Sequence, residues 1–258
     1  MDIIQKGVMR SGNVLLRLLL NHIFNDLNIS PHTYRFYQRN GQTIPTDQGL
    51  YTDPGMHGYE DLKRNNILIT PWRDPRDAMI SLIRTEYSKA TTKISKPLFV
   101  NSTDEIQVNN FPSIEYILKN CEKTAKEQII SFKEITKMQS QLHKENILEI
   151  KYENFHNNFD YLFNKLEVFF NNLFKYSSIK LKIPIKTREH LKKDFSKKET
   201  INYQKTVGPN FDSFCTISHV HGEHVWKGDN KWKEILTPEI LDIINPILDP
   251  YIKRWESL

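Results

Sequence analysis

The sequence is poor in cysteine and has no long hydrophobic run. Cys121 and Cys215 are its only cysteines, and neither belongs to a CxxC pattern or a metal-binding spacing. Scarce, isolated cysteines are typical of a reducing compartment, so no disulfide is expected. The longest apolar runs, such as residues 14–20, are too short to cross a bilayer, and a candidate core strand begins where a signal peptide would lie. We therefore expect a cytoplasmic protein with no membrane partner.

A strong excess of one charge is also missing. The 36 Lys and Arg residues exceed the 31 Asp and Glu residues by a formal +5. This modest excess favours a small anionic ligand, because nucleic-acid binders commonly carry a stronger bias, and no nucleic-acid partner is expected. The mean hydropathy of −0.56 is low, yet 11% aromatic residues and regularly spaced apolar positions predict a folded chain. Its length suits one α/β domain over residues 1–258.

Apolar periodicity predicts strands that alternate with helices. Such alternation is typical of a parallel sheet with helices on both faces. The predicted strands are 3–8, 33–37, 67–70 and 146–151. The predicted helices are 13–27, 76–87, 113–143 with one break allowed, 158–170, and a last helix that Thr237-Pro238-Glu239 caps and that reaches about residue 255.

The segments between these elements lack a clear period. Residues 41–58 are rich in Gly and Pro and are interpreted as a functional loop. Residues 89–110 are interpreted as a surface segment, 175–198 as a Lys-rich surface or substrate-loop face, and 200–231 as loop.

The first strand and helix enclose a glycine-containing turn. Gly7 and Gly12 have the spacing of the Walker A pattern, but Asn13 stands where that pattern has Lys, and Val14 stands where it has Ser or Thr. A nucleoside triphosphatase needs the Lys for its phosphates and the hydroxyl for Mg²⁺. The turn is therefore badly equipped for metal-assisted phosphoryl transfer.

The same turn can still hold an anion. Free backbone N–H groups at a helix N-terminus attract phosphate, and Arg10 and the Ser11 hydroxyl lie beside them in the sequence. These residues predict a P-loop-like phosphate site that requires no metal. The alternative is an ordinary strand-turn-helix in which glycine only marks the turn.

A second cationic turn follows the strand predicted at 67–70. Arg73 lies just beyond this strand, and Pro75 occupies a favourable helix start. The guanidinium of Arg73 can form a bidentate pair with a phosphate, and Ser81, two helical turns further, can offer its hydroxyl to the same group. The alternative is a surface charge run with no ligand.

These segments, in this order, resemble the sulfotransferases that use 3′-phosphoadenosine 5′-phosphosulfate (PAPS), and the resemblance spans nearly the whole chain. Residues 9–17 are similar to the family's 5′-phosphosulfate loop and keep its chemistry at Arg10, Ser11 and Gly12. Residues 72–82 are similar to the 3′-phosphate segment, whose Arg and Ser are eight residues apart, as Arg73 and Ser81 are.

Two further segments carry the resemblance toward the C-terminus. Residues 151–155 look like the family's Tyr-Glu-Asp-Leu element, which implies that Tyr152 contacts adenine. Residues 226–233 resemble the Arg-Lys-Gly phosphate clamp, although this copy is one residue short and has Trp where the clamp Arg is expected. Only Lys227 and Gly228 carry over as clamp residues.

The chain also departs from the family in its first loop. Val14 replaces a phosphate-binding Thr, and Leu15 replaces the Trp that stacks on adenine in many members. The remaining cations and donors still imply cofactor binding. The cofactor-binding set that the resemblance implies is Arg10, Ser11, Gly12, Asn13, Val14, Arg73, Ser81, Tyr152, Lys227 and Gly228.

The resemblance implies an in-line transfer of a sulfuryl group from PAPS to a hydroxyl or amine of a small-molecule or carbohydrate acceptor. The product would be adenosine 3′,5′-bisphosphate (PAP), no metal would be required, and a homodimer is left open. Arg10 occupies the position of the family's catalytic Lys and would stabilise charge on the leaving oxygen. His57, in the glycine-rich loop before the strand that Arg73 follows, is the candidate base.

A second group of histidines lies at His219, His221 and His224. Their spacing suggests a metal site, but no carboxylate-rich or cysteine partner set accompanies them, so they are interpreted as acceptor-site or loop residues and no metal is expected.

Two other function classes compete with the sulfotransferase hypothesis. One is a P-loop small-molecule kinase, which Asn13 and Val14 disfavour. The other is a basic module that binds RNA or another polyanion through residues 175–198. That segment intersperses apolar residues with its bases and has no pattern of stacking aromatics, which favours a solvated surface.

Overall fold

The structure is a computed structural model that describes residues 3–28, 34–37, 51–53, 62–92, 111–175, 180–196, 199 and 231–258. For residues 34–37, 51–53, 88–92 and 14, the description covers the backbone only. Five strands form one sheet in the order β3-β2-β1-β4-β5, and every neighbouring pair is parallel. The strands are β1 (Ile3–Gln5), β2 (Tyr34–Tyr37), β3 (Tyr51–Asp53), β4 (Ile67–Trp72) and β5 (Ile147–Lys151).

Eight α-helices are described along the same chain, and they confirm the predicted strand-helix alternation. A 3₁₀ turn at Lys144–Asn146 precedes β5. The helices are α1 (Asn13–Asp26), α2 (Pro75–Thr92), α3 (Ile114–Gln141), α4 (Tyr152–Phe155), α5 (Phe159–Leu173), α6 (Ile185–Asp194), α7 (Trp232–Ile235) and α8 (Pro238–Glu256). Among the described residues, no helix combines the length and apolarity that a bilayer span needs.

Several predicted boundaries were wrong. The strand predicted at 3–8 ends at Gln5, because the chain turns there into the glycine-containing loop. The segment 41–58, interpreted as loop, contains β3. The segment 175–198, interpreted as surface, contains α6. The helix predicted at 113–143 is confirmed as α3, without the break that the pattern allowed.

The described chain packs as two compact units. The first unit takes its described residues from Met1–Arg73 and Ile130–Phe195, with Leu258, and the second from Asp74–Ile129 and Ser196–Ser257. Each unit is assembled from separated stretches of chain, and such packing does not by itself define an independently folding domain. The expectation of one domain over residues 1–258 therefore stays a prediction.

The core of the first unit follows the alternation of its strands. Successive strand side chains point to opposite faces of a sheet. Ile3 and Ile69 accordingly join a large cluster with α1, α4, α5 and α6, whereas Ile4 and Leu68 join a smaller cluster with the C-terminal end of α3. Helices thus cover both faces of the sheet, as predicted.

In the second unit, α2 contacts α7 and α8. The Thr237 hydroxyl accepts a hydrogen bond from the Ile240 N–H at 3.4 Å and caps α8, which Pro238 begins. This confirms the predicted start of the last helix. Cys121 is buried and free on α3, and burial raises the pKa of its thiol, so it stays protonated at neutral pH. Cys215 lies outside the described residues.

Candidate functional site

The strand order reverses between β1 and β4. The chain passes from β1 outward to β2 and β3, then returns to the other side of β1 as β4 and continues to β5. In open parallel sheets, ligands bind beside the carboxyl ends of the strands at such a switch point. The loop 6–12 leaves the carboxyl end of β1, and Arg73 follows β4 directly. Both predicted phosphate-binding segments therefore begin at the same edge of the sheet.

The loop after β1 presents the N-terminus of α1. Gly12 is the N-cap residue with φ 87°, and within the described chain no side chain caps the helix. The first intrahelical bond is donated by the Leu16 N–H to the Gly12 carbonyl. The preceding N–H groups have no intrahelical acceptor and carry the positive end of the helix dipole. This end of α1 is suited to an anion.

Asn13 holds the loop in shape with its side chain. Its Nδ2 donates to the Gly7 and Val8 carbonyls at 3.1 and 2.9 Å, and its Oδ1 accepts from Gln5 Nε2 at 3.1 Å. Because the amide is used inside the loop, the predicted role of Asn13 toward a cofactor depends on its backbone N–H. Sequence reasoning missed Gln5, although a polar residue that closes a buried strand is a usable signal.

Ser11 also bonds within the loop. Its side chain is fully buried, and Oγ donates to the Val8 carbonyl at 2.6 Å. A phosphate oxygen needs a donor, so the predicted contact requires this hydroxyl proton to exchange partners. That contact stays a prediction.

Both loop glycines stand against other atoms. A Cβ on Gly7 would lie 2.7 Å from the Pro71 carbonyl oxygen, and a Cβ on Gly12 would lie 2.8 Å from Tyr152 Cε2. Side chains at these positions would collide with β4 and with α4. The close approach explains why glycine is required at both ends of the loop.

Arg73 reaches back from β4 to this loop. Its Nη1 donates to the Arg10 carbonyl at 3.3 Å, and its Cζ lies 4.9 Å from the centroid of the Tyr152 ring. Nε is buried and has no hydrogen-bond partner within the described part of the chain. The structure thus joins Arg10, Gly12, Arg73 and Tyr152 by contacts within the first unit, and the predicted residues Ser11 and Asn13 lie on either side of Gly12.

The charged run after Arg73 is packed inside the second unit. Asp74 is 1% exposed and accepts two bonds from the Arg76 guanidinium, each 2.8 Å long. The Cζ of Arg76 lies 3.9 Å from the Trp232 ring centroid. The Trp232 N–H donates to Asp77 Oδ1 at 3.0 Å. These internal contacts occupy the other charged residues of the run, so Arg73 is its candidate for an anionic ligand.

Ser81 belongs to a different part of the fold. Ser81 lies on α2 in the second unit and is 8% exposed. Its backbone carbonyl accepts a hydrogen bond from the Thr85 hydroxyl at 2.8 Å. Its contact with a phosphate stays a prediction. Six further predicted residues lie outside the described residues, as does the side chain of Val14; they are His57, Lys227, Gly228, His219, His221 and His224.

Arg76→Ala should lower the free energy of unfolding by about 1–3 kcal/mol, because it leaves the buried Asp74 carboxylate without its guanidinium partner. Urea unfolding followed by circular dichroism measures the change. The matched control is Lys253→Ala, which breaks an exposed pair with Asp249 and should cost no more than about 0.5 kcal/mol. Equal small losses in both variants would contradict a structural role for Arg76.

Comparison with known proteins finds a likeness in structure and none in sequence. No family model and no curated protein sequence matches the chain. Among the solved structures that match is mouse sulfotransferase SULT7A1 complexed with PAP, with 15% sequence identity and a TM-score of 0.52. The match covers 99% of this chain and 85% of that one. This likeness shows that the chain has the fold of a sulfotransferase.

Proposed function

We propose that this protein is a sulfotransferase that moves a sulfuryl group from PAPS to a hydroxyl or amine of a small-molecule or carbohydrate acceptor. The proposal is carried by one observation. Arg73, which follows β4, donates a hydrogen bond to the Arg10 carbonyl in the loop that follows β1, so the two segments proposed to bind anions meet at the switch point of the sheet. The sulfotransferase fold supports it.

The residues at this edge fit a nucleotide with two separate anionic ends. The N-terminus of α1, which no described side chain caps, and the Arg10 side chain suit a 5′-phosphosulfate. The Arg73 guanidinium, whose buried Nε has no hydrogen-bond partner among the described residues, suits a 3′-phosphate. The mouse neighbour is complexed with PAP, which has phosphates at both positions. When bound, the cofactor would supply the sulfuryl group, and the chain would supply charge and orientation.

Arg10 and His57 are proposed for the transfer itself. Negative charge grows on the leaving oxygen, so the Arg10 cation contributes more in the transition state than in the ground state. The acceptor must lose a proton, and His57 is proposed to take it. Ser81, Lys227 and Gly228 are proposed as further phosphate ligands.

The loop disfavours the kinase alternative. In a Walker loop the Lys after the second glycine reaches the phosphates. Asn13 holds that position here, and its amide is bonded to the carbonyls of Gly7 and Val8. The side chain therefore stabilises the loop and does not reach out to a ligand.

PAP should stabilise the protein against thermal unfolding more strongly than AMP, because AMP has no 3′-phosphate for Arg73. At a PAP concentration a hundredfold above its dissociation constant, the gain is about 2.7 kcal/mol. Differential scanning fluorimetry with PAP and AMP at the same concentration measures the difference, and Arg73→Ala should erase it. EDTA should leave PAP binding unchanged. Equal stabilisation by PAP and AMP would overturn the assignment, and EDTA-sensitive ATP turnover would favour the kinase.

A further inference from the structure

Tyr152 lies where the proposed phosphate-binding elements meet. It is the first residue after β5, and its ring packs so closely on Gly12 that a Cβ there would be 2.8 Å from Cε2. The same ring has the Arg73 Cζ 4.9 Å from its centroid. One aromatic side chain therefore contacts both the loop that follows β1 and the guanidinium that follows β4.

The Tyr152 ring is itself held in place by its neighbours on the chain. The His156 ring stacks on it with centroids 4.5 Å apart and planes 15° apart. The Phe155 ring meets it at 87° with centroids 5.5 Å apart. The His156 N–H also donates to the Tyr152 carbonyl at 3.0 Å. A ring packed in this way is a fixed support.

The Arg73 guanidinium gains its position from two contacts. Its Nη1 donates to the carbonyl of Arg10, whose φ of 67° lies in the left-handed region, and its Cζ lies within cation–π distance of Tyr152. An arginine side chain has many rotamers in solution, and a ligand that must order it loses affinity. Support before binding reduces that loss.

We propose that Tyr152 is a positioning residue for Arg73, and that through Arg73 it strengthens binding of the 3′-phosphate. The inference rests on the proposed function. It adds to the adenine contact that sequence resemblance implies for Tyr152, because an adenine contact contributes equally to every adenine nucleotide. Support of Arg73 contributes only when a 3′-phosphate is present.

The preference for PAP over AMP separates these two roles. Isothermal titration gives the dissociation constants of both nucleotides. The constant for AMP divided by the constant for PAP measures the preference for PAP, and this ratio is compared in the wild type, Tyr152→Leu, Tyr152→Phe and Arg73→Ala. Tyr152→Leu should reduce the ratio by about threefold to thirtyfold, the range of a partly desolvated cation–π contact. Tyr152→Phe keeps the ring and should stay within about twofold of the wild type. Adding Tyr152→Leu to Arg73→Ala should lower the ratio no further.

The outcomes distinguish the inference from the function on which it rests. If Tyr152→Leu weakens PAP and AMP by the same factor, Tyr152 contacts adenine only and the inference is overturned. If Tyr152→Leu does not fold, His156→Ala replaces it in the test. This variant removes the ring that stacks on Tyr152 and keeps the Tyr152 ring, and it should lower the ratio. An unchanged ratio there overturns the inference. A wild-type ratio near one would instead overturn the assignment of Arg73 to a 3′-phosphate.

Discussion

Replacing Gly12 with alanine is expected to destabilise the protein by about 2 to 5 kcal/mol and to abolish PAP binding. Gly12 has φ 87°, a left-handed conformation that costs an L-residue about 1–2 kcal/mol. The new methyl group would also stand 2.8 Å from Tyr152 Cε2. Overpacking of this kind costs about 1–3 kcal/mol. Urea unfolding and a PAP titration of the folded variant measure the two effects.

Asn28 provides a control for the conformational part of this loss. It has φ 54° at the end of α1, and it is exposed and already carries a Cβ. Asn28→Ala should therefore cost about 1 kcal/mol or less and leave PAP binding intact. If Gly12→Ala bound PAP normally and lost no more stability than Asn28→Ala, the close packing of Tyr152 on the loop would have no functional role.

Strong apolar periods made much of the fold predictable. All six residues of β4 are buried, and α5 buries a regular stripe, so both were predicted from residue types, although the predicted strand ended at 70, two residues before β4 does. The period fails for β3, which has three residues and offers too little alternation. It fails also for α6, which buries Thr187 and Leu191 and is otherwise mostly charged.

The candidate site was predictable where it depends on local sequence. Glycine spacing and a following helix identify the loop around Gly12, because its chemistry resides in a few consecutive backbone groups. The contact between Asp77 and Trp232 joins residues 155 positions apart, and no local pattern contains it. The stacking of His156 on Tyr152 was missed for another reason. A histidine that directly follows a four-residue helix has no distinctive sequence signal.

Arg10→Ala and His57→Ala are expected to affect turnover and PAP binding differently. Arg10 would contact the phosphosulfate, so its loss should weaken both PAP binding and turnover. His57 would act on the acceptor proton, so His57→Ala should cut turnover by about 10²-fold or more and leave PAP affinity nearly unchanged. Steady-state kinetics and a PAP titration measure these changes. Near-wild-type turnover in His57→Ala would make His57 a bystander and direct attention to His219, His221 and His224.

The dependence of the His57→Ala defect on the acceptor gives the sharpest test of a base. An acidic phenol is already largely deprotonated at neutral pH and needs little help, whereas an aliphatic alcohol needs its proton removed as it attacks sulfur. The defect should therefore grow with the pKa of the acceptor across a series of labelled transfer assays. Arg10→Ala is the matched comparison, because it acts on the leaving group and should lower turnover by a similar factor for every acceptor. A His57→Ala defect that is constant across the series would assign His57 to acceptor binding instead of proton transfer.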